Sequence, residues 1–100
     1  MLYMNKYFIN NDLLTCMLHG KLDTLNSSVF ESEIGEHMTK EVHSVIFDMQ
    51  EVNYISSTFL RIVIKTAQAL GKEKFMIRNV QPSVMKVFKM ANLADLIKFE

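Results

Sequence analysis

With 100 residues, 49% of them hydrophobic, and eleven basic side chains balancing eleven acidic ones, the chain suits one domain with a substantial core. Balanced charge argues against the clustered basic surface that nucleic acid requires, and no apolar run approaches the roughly 18 residues of a membrane span, so neither nucleic-acid binding nor direct membrane insertion is expected. One cysteine, Cys16, allows no internal disulfide, and the amino terminus lacks a long apolar stretch, so the expectation is a single domain over residues 1–100, monomeric or weakly dimeric, in the reducing cytoplasm.

Tyr3 to Ile9 is the first candidate strand. Asn10-Asn11-Asp12 signals a turn, because these residues tolerate the left-handed region and bond their own backbone. Leu13 to His19 is a second strand, with Leu14, Cys16 and Leu18 on one face and Leu13, Thr15, Met17 and His19 on the other. The short turn makes the two an antiparallel hairpin. Gly20-Lys21-Leu22-Asp23 then leaves the strand. A helix is predicted from Asn26 to Met38, with Asn26 as N-cap and Leu25 and Phe30 placed for a hydrophobic staple. Phe30, Ile34 and Met38 mark its inner face, while Glu31, Glu33 and Glu36 form a solvated one. Gly35 weakens this helix slightly without ending it.

The third strand, Ser44 to Asp48, carries the run Val45-Ile46-Phe47, which predicts a central strand covered on both faces. It feeds the stretch around which the chain is organised, Asp48 to Gly71. A hydroxyl cluster, Ser56-Ser57-Thr58, stands where an N-cap belongs, and Ser57 is the expected cap, with Thr58 in the first turn. Phe59 to Ile64 is rich in β-branched residues and alone reads as a strand. The Lys-Thr-Ala-Gln-Ala-Leu that follows tips it to a helix, ended by Gly71 in the left-handed region. A fourth strand runs from Phe75 to Val80. Pro82 suits the first position of a third helix, striped by Val84, Val87, Phe88 and Ala91 and ended by Asn92. Leu93 to Leu96 is read as a helical turn and Ile97 to Phe99 as a short last strand. The fold class is therefore α/β: one small mixed sheet, an N-terminal antiparallel hairpin followed by β-α-β-α-β-α, its later strands parallel through right-handed crossovers.

The chemistry-bearing residues gather at one end. The hydroxyl cluster lies between a strand's carboxyl end and a helix start, where backbone N–H groups and the helix dipole favour an anion. Asp48 is predicted to close the strand before it, and Asp23 to lie on the stretch that leaves the second strand. On the residues alone, the simplest account makes Ser57 a cap, Thr58 a first-turn residue and both aspartates loop residues bonding nearby amides. Cys16 and His19 are three apart on one strand and so face opposite ways, which leaves a buried core cysteine as the plain reading. His19, His37 and His43 show no metal-ligand spacing, and neither phosphate-binding glycine motif occurs. No cofactor, metal or catalytic constellation is implied, and the chain is not expected to be an enzyme.

This order of elements, with these motifs, resembles the STAS family, named for sulfate transporters and anti-sigma-factor antagonists. Asp48, Val52, Tyr54, Ile55, Ser56, Ser57, Thr58 and Leu60 match the family's signature of an acidic residue closing a strand, an apolar-rich turn and a hydroxyl cluster at a helix start. Gly20-Lys21-Leu22-Asp23 is similar to its second motif, and Asn79 to Val84 with Asn92-Leu93 to its last third. Thr58 aligns with the serine phosphorylated in anti-sigma-factor antagonists, with Ser57 the second candidate. Phe59 and Asn92 stand where the family usually has glycine. The resemblance implies a partner surface of Asp23, Asp48, Ser56, Ser57, Thr58, Phe59 and Arg61, met by an anti-sigma-factor-type serine kinase, with a PP2C-type phosphatase reversing the modification. The alternative it implies is a non-enzymatic accessory subunit of a membrane transport ATPase.

Overall fold

A computed structural model of the protein describes residues 4–100. Tyr3, the expected start of the first strand, lies outside them. The described elements are β1 (Lys6–Asn10), β2 (Leu13–Leu22), α1 (Thr24–His37), β3 (Ser44–Ile55), α2 (Ser57–Leu70), β4 (Phe75–Arg78), α3 (Pro82–Met90) and β5 (Lys98–Phe99). They form one sheet in the order β1-β2-β3-β4-β5, with β1 antiparallel to β2 and every later pair parallel. Three asparagines supply left-handed residues at the corners: Asn11 in the hairpin, Asn79 after β4 and Asn92 after α3. Their short side chains are compatible with this region, which other non-glycine residues rarely enter.

Each crossover steps to the next strand in the same direction, so right-handed connections place every helix on one face. The register agrees. Leu14 pairs with Val45 and Val45 with Phe75, while Cys16 pairs with Phe47 and Phe47 with Ile77. All of these are buried in one core with Phe30 and Ile34 of α1, Phe59, Ile62 and Val63 of α2, and Val84 and Phe88 of α3. The rings of Phe30, Phe59 and Phe75 surround Phe47 at centroid distances of 5.1, 6.2 and 4.8 Å. The next register positions, Thr15, Ile46 and Met76, belong to the opposite face, which no described helix covers. The shortest dimension, 20 Å between outermost Cα atoms, fits one sheet and one helical layer.

This corrects the expectation of a strand covered on both faces. β3 is central, and Ile46 is only 8% exposed. Its shielding comes from its neighbours in the sheet, not from a second helical layer. Other boundaries also shift. β2 continues through Leu22 and β3 through Ile55, pairing Gly20 with Val52 and Leu22 with Ile55 past two register irregularities. Asp23, not Asn26, caps α1, its carboxylate accepting from the Asn26 N–H at 2.9 Å. Leu25 is 73% exposed and forms no staple, and Met38 has left the inner face. Glu33 does more than face solvent: it accepts from the Tyr7 hydroxyl at 2.8 Å and from Asn5 Nδ2 at 3.2 Å. Burial and this carboxylate together push the Tyr7 phenol above its ordinary range.

Cys16 lies on the helix-covered face with no exposed surface, and burial pushes its thiol up to about 12. Native protein should resist a thiol reagent at about pH 8, where an ordinary exposed cysteine reacts readily, and become reactive on unfolding. A stopped-flow comparison of native and urea-unfolded samples checks this. Equal rates would show that the β2–β3 core opens easily.

Candidate functional site

The paired strands β2 and β3 end side by side, and a helix starts immediately beyond each. Leu22 and Asp23 lead into α1, while Ile55 and Ser56 lead into α2. The Leu22 carbonyl ties the two starts together. It accepts from the Ser56 N–H at 3.0 Å and from the Ser27 hydroxyl at 3.0 Å. Ser27, fully buried in the first turn of α1, lies with its oxygen 3.4 Å from the Ser56 hydroxyl oxygen. Ser56 is the N-cap of α2, accepting from the Phe59 N–H at 3.3 Å. The cap therefore falls one residue before Ser57, the expected position. Ser57 becomes the first helical residue and Thr58 the second.

This geometry gives the end of the sheet a definite polarity. Asp23 places a carboxylate on the start of α1 and offsets that helix's positive end. The start of α2 is capped by a neutral hydroxyl and has no acidic residue in its first turn. The Ser57 and Thr58 N–H groups precede the first intrahelical acceptor, so they remain available outward. Ser57 is exposed, Thr58 partly so, and Arg61 is exposed one turn further on. Residues three and four apart neighbour one another on a helix, so Arg61 shares the side of Ser57 and Thr58. The α2 start thus combines two hydroxyls, a free pair of N–H donors and a cation. It favours a group of negative charge, while Asp23 sits beside it as the opposing charge.

Two residues expected here are elsewhere. Asp48 is an interior residue of β3, seven positions before the strand ends, which is about 20 Å along a strand. At that distance, and with its charge met by Arg78, Asp48 exerts little force on the start of α2. It is 5% exposed and accepts from the Gln50 N–H, Arg78 Nε at 3.1 Å and Asn79 Nδ2. Burial pushes its carboxyl up, but those three partners outweigh burial and hold it below the usual carboxylate range. Asp48 therefore fastens the β4–α3 corner to β3, helped by Gln81, which donates to the Gln50 carbonyl. Phe59 is fully buried among Phe30 and Phe47 and presents no surface to a partner. It occupies the third position of α2, and its ring enters the core. Ser27 had no distinguishing signal in the sequence. Its role appears only when β2 and β3 are paired to their last residues.

Among the described residues no helix is long and apolar enough to cross a membrane, and no cluster of three metal-ligating side chains forms. The sequence profile described as STAS domain matches residues 3–100. The chain belongs to the STAS domain family. BtrV of Bordetella bronchiseptica, provisionally named an anti-sigma factor antagonist, is 27% identical over 90 residues, covering 88% of this chain and 77% of that protein. An anti-sigma factor antagonist from Mycobacterium paratuberculosis matches with a TM-score of 0.84 at 18% identity, over 96% of this chain and 83% of that one. The anti-sigma factor antagonist SpoIIAA matches in its unphosphorylated form with a TM-score of 0.79 at 17% identity, over 97% of this chain and 88% of that one. In its phosphorylated form SpoIIAA, there described as a Bacillus cell fate determinant, matches with a TM-score of 0.73 at 16% identity, over 97% and 91% of the two chains. The mixed five-stranded sheet with three helices is the STAS fold of these structures.

Proposed function

We propose that this chain is a non-catalytic regulatory module of the cytoplasm, acting as an anti-sigma factor antagonist, whose contact surface is the paired helix starts and whose switch is a phosphoryl group on Thr58 or Ser57. The observation that carries this reading is the start of α2, where a neutral cap leaves a positive helix end beneath two hydroxyls and Arg61. The name of BtrV and the two forms of SpoIIAA support it. The partner is a serine kinase of the anti-sigma-factor type, and a PP2C-type phosphatase restores the hydroxyl. In the switch the Thr58 oxygen takes the γ-phosphoryl group of ATP, its proton leaves, and ADP departs.

A phosphoryl group adds about −1.5 to −2 charges. The α2 start and Arg61 favour that charge in the free protein, so the fold persists. A partner docked over Ser56, Ser57, Thr58, Arg61 and Asp23 must desolvate it, and an unpaired buried charge is costly. Phosphorylation is therefore expected to weaken the complex by several kcal/mol unless the partner supplies an arginine. Thr58→Glu should reproduce part of the loss, and Thr58→Ala should bind and resist modification at that residue. Both variants should melt within a few degrees of wild type. The test incubates the protein with ATP and a serine kinase of the anti-sigma-factor type, maps phosphate by mass spectrometry, and titrates the partner against each variant. Phosphate on Ser57 moves the switch by one residue. An unmodified helix start together with wild-type affinity for Thr58→Glu would refute the switch and leave a constitutive scaffold.

A further inference from the structure

The two edges of the sheet differ. β5 is two residues long and offers another strand little to pair with, whereas β1 presents five. Proteins commonly protect an edge with proline, a bulge or several charges. β1 reads Lys-Tyr-Phe-Ile-Asn, with no proline, one charge and an unbroken register against β2. Phe8 and Ile9 point to opposite faces and are 53% and 51% exposed. Asn10 and Leu13 pair directly across a two-residue turn, so they form the hydrogen-bonded pair that closes the hairpin. Bonding direction alternates along a strand. Lys6, Phe8 and Asn10 therefore turn their N–H and C=O groups toward β2, while Tyr7 and Ile9 turn theirs outward.

We propose that β1 pairs with β1 of a second copy of this chain, antiparallel about a two-fold axis at Phe8. In that register Tyr7 lies opposite Ile9 of the second copy, and Ile9 opposite its Tyr7, so outward-facing groups meet outward-facing groups and each pair exchanges two bonds. Phe8 lies beside its own copy on the uncovered face, and Lys6 faces Asn10, so no like charges stand opposite one another. With outward groups matched and its single charge, Lys6, set opposite a neutral Asn10, the strand can serve as its own partner, as an isologous contact requires, and this points to a second copy of the chain. The axis stands perpendicular to the sheet. It joins the two sheets into one, with both helical layers on the same side and both uncovered faces continuous. One short strand per protomer makes a small seam, so the dimer belongs to the weak, concentration-dependent class.

Sedimentation equilibrium of the full chain across a wide concentration range tests this. Wild type should pass from monomer to dimer. Ile9→Pro removes an outward N–H without touching the bonds to β2, and Phe8→Lys places like charges opposite each other across the seam. Each should raise the dissociation constant at least about tenfold while the hairpin stays folded. As a readout that needs no variant, amide exchange at Tyr7 and Ile9 should slow with rising concentration of wild-type protein. A wild type that stays monomeric throughout, exchange at those amides that ignores concentration, or a dimer that both variants leave intact would overturn the pairing.

Discussion

Phe59→Ala should melt on the order of 20 °C below wild type. The ring is fully buried against Phe30 and Phe47, and truncating a buried phenylalanine costs about 3–5 kcal/mol, through lost transfer free energy and the cavity left behind. For a domain of this size each kcal/mol shifts the midpoint by roughly 4–8 °C. Phe59→Leu, which keeps most of the volume, should lose much less. Thermal unfolding followed by circular dichroism measures both. The result also decides what Phe59 is for. A residue kept as a surface contact would tolerate alanine with almost no change in melting and a large loss of partner affinity, and that pattern would contradict its placement in the core.

Asp48→Asn should cost about 2 kcal/mol near neutral pH, since it removes a partly buried charge-assisted contact to Arg78 while keeping the shape. Its second signature is in the pH dependence. The folded protein holds the Asp48 carboxyl below its ordinary range, so between the folded and unfolded values the unfolded chain binds the proton more readily. Stability must then rise with pH across that window. The Asp48 contribution is fully present above about pH 4 and is lost as pH falls through the folded value. Urea unfolding at a series of acidic pH values should show a steeper decline for wild type than for Asp48→Asn. Parallel curves would mean that another carboxylate carries the acid limb.

The parts of the fold written in local patterns were legible. Asn10-Asn11-Asp12 marked the hairpin, Pro82 opened α3, and Asn92 ended it in the left-handed region, because each of these depends on a residue and its immediate neighbours. The errors came from features decided by distant pairing. Gln50, Glu51, Asn53 and Tyr54 fall beyond the expected strand end at Asp48, yet they belong to β3, whose register irregularities break the two-residue alternation. Whether Asp23 or Asn26 capped α1 turned on how far β2 ran, and that was set by Ile55 on another strand. Val45-Ile46-Phe47 suggested cover on two faces because three consecutive apolar residues say nothing about how they are shielded. Thr15 and Met76, the register neighbours of Ile46, are far from it in sequence.

The site shows the same division. Ser56, Ser57 and Thr58 were visible as a hydroxyl cluster at a helix start, and the structure places them there. Asp48 was misplaced because an acid after an apolar run looks like a strand end, whereas its partners Arg78 and Asn79 lie about thirty positions downstream. Phe59 was expected on the partner surface, but the helix phase turns its ring inward.

A single residue, Ser56, joins the last residue of β3 to the first of α2, and its N–H is held by the carbonyl of Leu22. No hinge fits into such a connection. A protein that binds there meets a template already in its final shape, so little conformational entropy is lost on the side of this chain and the free and bound backbones should coincide closely. Association need not wait for an opening step. Selectivity then rests on the partner's shape and charge, and a chemical change on the rim acts at once on the rate of departure, because the site has no slack with which to absorb it.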